Sequence, residues 1–186
     1  EVLFFFTDEK KSILITKKLD GDMICCDEIF DDMQHVVELA AESLKILQSV
    51  DITGFPIYNG LSQKLALAKS NITKKLVLTT DMNETNQKRF KTIENAYKYL
   101  EENKIEEELC FSHGDLSIPN IFFKNDSISG FLDMGDAGVA DKWFDIAILV
   151  KSLRRNYATN DAEKYLFKCL NIKPDYKKIE YYILLT

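Results

Sequence analysis

The 186-residue sequence contains no C-x-x-C pair and only two histidines, His35 and His113. Without such spacings a structural zinc site has no ligand set to draw on. Its four cysteines are one adjacent pair, Cys25 and Cys26, and two singletons, Cys110 and Cys169. Free thiols in a chain of this size fit a reducing cytoplasm. Long hydrophobic runs are also missing. The apolar stretch Val2–Phe6 is interrupted by Asp8, is too short to span a membrane, and follows no basic segment of the kind that opens a secretory signal. Positive charge is not in excess: 24 Lys and Arg face 30 Asp and Glu, a net charge of −6. A nucleic-acid partner needs a basic face, and the Lys-Lys pairs at 10–11, 17–18, 74–75 and 177–178 are scattered. No G-x-G-x-x-G run, internal repeat or low-complexity segment is present. What is there is ordinary for one globular domain: 46% hydrophobic and 29% charged residues.

The patterning predicts a mostly helical α+β domain. Residues 2–7 and 11–16 read as paired strands around Asp8-Glu9-Lys10, and Lys17 to Asp22 is a polar break. Residues 29–48 read as a long amphipathic helix, with Met33, Val36, Val37, Ala40, Ala41, Leu44 and Leu47 at three- and four-residue steps. Shorter helices are expected over 61–70 and 90–103, whereas the polar stretch 74–86 carries no assignable period. Strands are expected at 109–111, 121–123 and 128–132, with a turn at 124–127. Helices over 142–155, 161–170 and 175–185 close the chain, with Pro174 suited to the start of the last. Trp143 and Phe144 read as core, and Tyr165, Phe167, Tyr181 and Tyr182 as helix packing. The chain opens at Glu1 inside a strand-like run and ends on an uncapped apolar helical pattern, so both ends read as cut.

One segment carries chemistry: Ser112-His113-Gly114-Asp115-Leu116-Ser117-Ile118-Pro119-Asn120, with Asp133 further along the chain. Phosphoryl transfer needs a carboxylate to orient the attacking hydroxyl and accept its proton. It also needs Mg²⁺ held against the phosphates by a few hard oxygen ligands. Asp115 supplies the first, and Asn120 with Asp133 the second. The kinase catalytic-loop pattern H-R-D-x-x-x-x-N is matched except at Gly114, where that pattern has arginine. In protein kinases that arginine pairs with a phosphorylated activation loop, so its absence points to a constitutive small-molecule kinase.

At these residues the sequence resembles the aminoglycoside phosphotransferase family, most of all the 3′-kinases that act on kanamycin-type antibiotics. The resemblance rests on Phe111–Leu116, Asn120-Ile121-Phe122 and Ser129–Asp133, and is extended by Gly135, Gly138, Ala140–Trp143 and Asp145-Ile146-Ala147. Ile172–Asp175 and Tyr181–Leu185 carry it to the end, and it is weaker over residues 1–108. It implies a protein kinase-like fold, with residues 1–22 as remnant amino-lobe strands and hinge and 23–186 as the carboxy-terminal catalytic lobe. It implies Mg²⁺-dependent transfer from ATP, or GTP, to a hydroxyl of an aminoglycoside or related small molecule. By position, Asp115 becomes the catalytic base and an acceptor contact, and Asn120 and Asp133 the Mg²⁺ ligands. Asp145 becomes a brace for the loop, and Thr16 to Lys18 a hinge whose backbone meets the adenine edge. Asp136, Asp81 and Glu84 become acceptor contacts.

The departures fall at two places. The phosphate loop, strand lysine and helical glutamate of a complete enzyme do not occur in these residues. On the acceptor side, Asp136 stands where the 3′-kinases commonly have arginine, and Arg155 and Asn156 stand where acidic residues would hold ammonium groups. Two other readings stand beside this one. A kinase on the same scaffold could take a choline-, homoserine-, sugar- or macrolide-type acceptor, or the chain could be a non-catalytic module.

Overall fold

The computed structural model describes residues 2–157 and 159–186. Val2–Thr7 (β1) and Ser12–Thr16 (β2) form an antiparallel hairpin. Its turn is closed by Asp8, whose Oδ1 accepts the N–H groups of Lys10 and Lys11 at 2.8 and 2.9 Å. The hairpin is exposed on both faces, Phe5 to 62%, and adds nothing to the core. From there the chain turns into β3 (Asp22–Met23), which pairs with β5 (Ile121–Lys124). Gly21, at φ +90°, permits the turn, because a Cβ there would run into the Phe123 carbonyl.

The core gathers on helices. The apolar period predicts one helix over 29–48, and the structure divides it into α1 (Asp27–Phe30) and α2 (Met33–Gln48). The cause is local: the Asp32 carboxylate accepts the His35 N–H at 3.1 Å and so starts a new helix. α2 buries Val36, Val37, Ala40, Leu44 and Leu47 as its spacing requires. Next comes α3 (Leu61–Thr73). The polar stretch without a period holds a 3₁₀ turn, Thr79–Asp81, and the start of α4 (Glu84–Phe90). The single helix expected over 90–103 begins late, as α5 (Ile93–Glu102), because Lys91 turns left-handed at φ 68° and Thr92 caps the new helix.

Two small sheets then position the loops. β4 (Leu109–Ser112) pairs antiparallel with β7 (Gly138–Asp141), and β5 pairs antiparallel with β6 (Ser127–Phe131). Ser112 therefore lies opposite Gly138, and Ile121 opposite Phe131. The residues after β4, before β5, after β6 and before β7 converge on one place as a result. β7 is invisible to period-two reasoning, because all four of its residues are buried and nothing alternates.

The closing helices α6 (Lys142–Asn156), α7 (Asp161–Leu170) and α8 (Tyr176–Leu185) match the sequence expectation closely. α6 is the central rod, burying Ile146, Leu149, Val150 and Leu153. Trp143 and Phe144 are core residues, and Tyr182 donates its hydroxyl to Asp141 at 2.9 Å. Hydrogen bonds from Lys142 and Lys178 draw Glu108 down to about 2, which ties β4 to α6 and α8. Among the described residues no helix is long and apolar enough to cross a membrane.

Candidate active site

The catalytic-loop segment is shaped by bonds its own sequence supplies. Asp145, in the first turn of α6, is 3% exposed and accepts the N–H groups of His113 at 2.7 Å and Gly114 at 3.1 Å. Burial raises its pKa, and those two donors act in the opposite direction. This is the bracing position that the resemblance implies for Asp145. His113 is fully buried; its Nε2 lies 2.8 Å from the Leu132 carbonyl, and its Nδ1 accepts the Asp115 N–H at 3.2 Å. With Nδ1 accepting, Nε2 is the ring nitrogen placed to donate to the Leu132 carbonyl. One side chain links the residue before Asp133 to Asp115 itself.

Asp115 projects from this framework into solvent. Asn120 fastens it, donating Nδ2 to the Asp115 carbonyl at 2.9 Å and to its Oδ2 at 3.3 Å. The Asn120 carbonyl in turn accepts the Leu132 N–H at 2.9 Å. Asp133 comes next in the chain, exposed and left-handed at φ 54°. Its carboxylate has no hydrogen-bond or ion-pair partner among the described residues. Asp115, Asn120 and Asp133 are thus brought to one loop cluster.

Gly114 is required there. It sits at φ +90°, and a Cβ would strike the Asp136 carbonyl. Gly114→Ala is expected to cost at least about 1–2 kcal/mol for the left-handed backbone alone, with catalytic-loop activity falling further. A urea midpoint unchanged from the parent chain would contradict this.

A cavity of about 780 Å³ opens beside Asp115, between α3 and α6. Six residues of α6 line it, Phe144, Ile148, Lys151, Ser152, Arg155 and Asn156, all three, four, seven or eight residues from Phe144 or Ile148, so one face of the helix forms its wall. Asp136 and Asn59 lie on the opposite side, with Asn59 Nδ2 on the Asp136 carbonyl at 2.8 Å.

Residues 30–181 match the phosphotransferase enzyme family APH. The chain belongs to that family. It is 39% identical to an aminoglycoside 3′-phosphotransferase of Enterococcus faecalis, over 100% of this chain and 70% of that protein. It is 37% identical to one of Staphylococcus aureus, over 100% and 71%. The chain thus spans about 70% of the length of these relatives. Among solved structures, aminoglycoside phosphotransferase APH(3'')-Id from Streptomyces rimosus superposes with a TM-score of 0.85 at 21% identity, covering 99% of this chain and 72% of that one. The fold is therefore the α+β, protein kinase-like fold of the aminoglycoside phosphotransferases, and this is an enzyme family of the kinase type.

In this APH-family chain the remaining residues singled out from sequence are dispersed. Asp81 accepts the Leu78 N–H at 2.7 Å and lines a second cavity of about 370 Å³ between α3, α5 and α8. Glu84 is exposed at the start of α4, 3.8 Å from Lys88. Neither lines the cavity of Asp115. Thr16 ends β2, and Lys18 lies two residues beyond it, both exposed. Their segment is docked onto β6, where Ser129 donates to the Asp20 carbonyl at 2.7 Å.

The donors suit a magnesium ion. No group of three His, Cys, Asp or Glu side chains that could hold a metal occurs among the described residues. Mg²⁺ bound to nucleotide needs only one or two protein oxygens, with phosphates and water supplying the rest. Asp133 offers a free carboxylate. Asn120, its amide hydrogens engaged on Asp115, leaves Oδ1 as an acceptor.

Lys64 and Lys151 carry no sequence signal of their own. The three- and four-residue steps of α6 could have marked Lys151, because they place it on the stripe of Phe144 and Ile148.

Proposed function

We propose that this chain carries the catalytic lobe of an ATP-dependent phosphotransferase that phosphorylates a hydroxyl of an aminoglycoside or a related small polyol. The observation behind it is the exposed Asp115 carboxylate at the cavity, fastened by Asn120 and joined through His113 and Leu132 to Asp133. The relatives named aminoglycoside 3′-phosphotransferases support the same class.

The acceptor enters the cavity with its hydroxyl toward Asp115. Asp115 orients that hydroxyl and takes its proton as the oxygen attacks the γ-phosphorus. The bond from the γ-phosphorus to the bridging oxygen breaks, and the nucleoside diphosphate leaves with that electron pair. Asn120 and Asp133 would hold Mg²⁺, which when bound neutralises charge on the phosphates. Asp145 keeps the loop rigid, so that Asp115 meets the hydroxyl without rearrangement.

In this reading residues 1–22 are the hinge side, where the backbone from Thr16 to Lys18 meets the nucleotide base, and residues 23–186 are the catalytic lobe. Asp81 lines the second cavity, which adjoins that of Asp115 through Ala68, Asn71, Lys151, Leu185 and Thr186, and it stays in the acceptor set; Glu84 lines neither cavity. The compartment is the cytoplasm, which supplies ATP and keeps four free thiols reduced.

Calorimetric titration of ATP and GTP, with and without Mg²⁺, tests the nucleotide side. Binding is expected to depend on Mg²⁺ and to weaken at least about tenfold in Asp133→Ala, since a metal-ligating carboxylate is lost. Binding indifferent to both Mg²⁺ and Asp133 would sink the assignment.

A further inference from the structure

The backbone of Asp133 is left-handed at φ 54°, a conformation that a residue other than glycine keeps only where its surroundings hold it. On the upstream side the hold is plain. The Leu132 N–H donates to the Asn120 carbonyl at 2.9 Å, and the Leu132 carbonyl faces His113 Nε2 at 2.8 Å. Downstream, the 3₁₀ turn Met134–Asp136 closes through the Ala137 N–H on the Met134 carbonyl at 3.2 Å. That bond lies within the turn and ties it to nothing else. Among the described residues a single side-chain hydrogen bond reaches residues 133–137 from outside: Asn59 Nδ2 on the Asp136 carbonyl, at 2.8 Å.

Asn59 is itself firmly held. Its N–H donates to the Val139 carbonyl at 2.9 Å, and the Val139 N–H donates to the Ile57 carbonyl at 2.9 Å, so residues 57–59 run beside β7. On either side of Asn59, Glu107 accepts the Tyr58 hydroxyl at 2.9 Å and the Leu61 N–H, at the start of α3, at 2.7 Å. The Asn59 side chain therefore springs from a fixed backbone. What it grips also touches the loop of the base, because a Cβ on Gly114 would strike that same Asp136 carbonyl. The amide thus holds the turn after Asp133 against the residue before Asp115.

We propose that Asn59 is a positioning residue for phosphoryl transfer: its amide fastens the turn 134–136 against Gly114 and so keeps the Asp133 carboxylate in place for Mg²⁺. The inference rests on the reading of Asp133 as a metal ligand. Without the Asn59 bond the turn is tied only by the strands that flank it, and Asp133 is free to relax out of its left-handed backbone.

Two substitutions test it. Asn59→Leu keeps the size of the side chain and removes the donor. Asn59→Asp keeps the shape and turns an acceptor toward the carbonyl. Calorimetric titration of Mg²⁺-ATP is expected to show about tenfold weaker binding in both, the lower end for losing a group that orients a metal ligand. Added to Asp133→Ala, Asn59→Leu is expected to cost nothing more, because it acts through the residue already lost. Hydrogen exchange without nucleotide reads the turn itself. The Ala137 N–H is expected to exchange several-fold faster in both variants, and to speed up more than the core amides of α6, whereas a general loss of stability would move all of them alike.

Mg²⁺-ATP affinity unchanged in Asn59→Leu, beside a loss in Asp133→Ala, overturns the proposal and leaves the phosphotransferase reading standing. Losses that add in the double variant overturn it too, since Asn59 would then act apart from Asp133. No loss in Asp133→Ala removes the metal ligand, and there it is the phosphotransferase reading that fails, the inference with it.

Discussion

Asp115→Asn is expected to lower the rate of phosphoryl transfer by about 10²–10⁴-fold, the range for losing a positioned general base. The substitution is nearly isosteric, and an amide oxygen still accepts from Asn120. What disappears is the basic oxygen that takes the acceptor proton. Because Asp115 is exposed and its side chain makes one long contact of 3.3 Å within the protein, stability is expected to hold. The discriminating result is a steep fall in acceptor-dependent nucleoside diphosphate release beside an unchanged urea midpoint. Equal turnover in the two proteins would remove Asp115 from the chemistry.

Asp145→Ala is expected to act in the opposite way, through the fold. It strips the His113 N–H of its acceptor inside a buried site and leaves the Gly114 N–H only Ser112 Oγ, at 3.2 Å. An orphaned buried group costs about 1–3 kcal/mol, so a loss of at least that size is expected. Activity is expected to fall with it, because the same two bonds hold the backbone just before Asp115. Equilibrium urea denaturation measures the first and single-turnover transfer the second. A loss under about 0.5 kcal/mol, the scale of ordinary surface changes, would mean that Asp145 does not brace the loop.

These two residues also show what a sequence exposes and what it hides. Asp115, Asn120 and Asp133 are legible because loop chemistry depends on residue type and spacing along one local stretch. α2 and the last three helices are legible because a buried helix face repeats at a fixed step. β7 is not, since a strand buried on both sides has no alternation to read. The break between α4 and α5 escapes notice because it turns on one lysine adopting a left-handed backbone, which composition does not announce. Asp81 and Glu84 become acceptor contacts only through the resemblance. Whether an acidic residue faces a given cavity depends on helix packing: neither lines the cavity of Asp115, and Asp81 lines the adjoining one, which shares Lys151 and Thr186 with it. Lys64 joins that cavity from a helix remote in sequence, and only the packing of α3 beside α6 brings it there.

α6 carries the brace near its beginning and two cavity-lining cations, Lys151 and Arg155, nearer its end, about 9 and 15 Å away at the helical rise of about 1.5 Å per residue. Substitutions that far apart, with no shared partner, combine nearly additively. Positions 151 and 155 can therefore drift, by single changes of codon, through acid, base or neutral side chains while Asp145 keeps its hold on the loop. A lineage built on this rod can change what it phosphorylates without relearning how to phosphorylate.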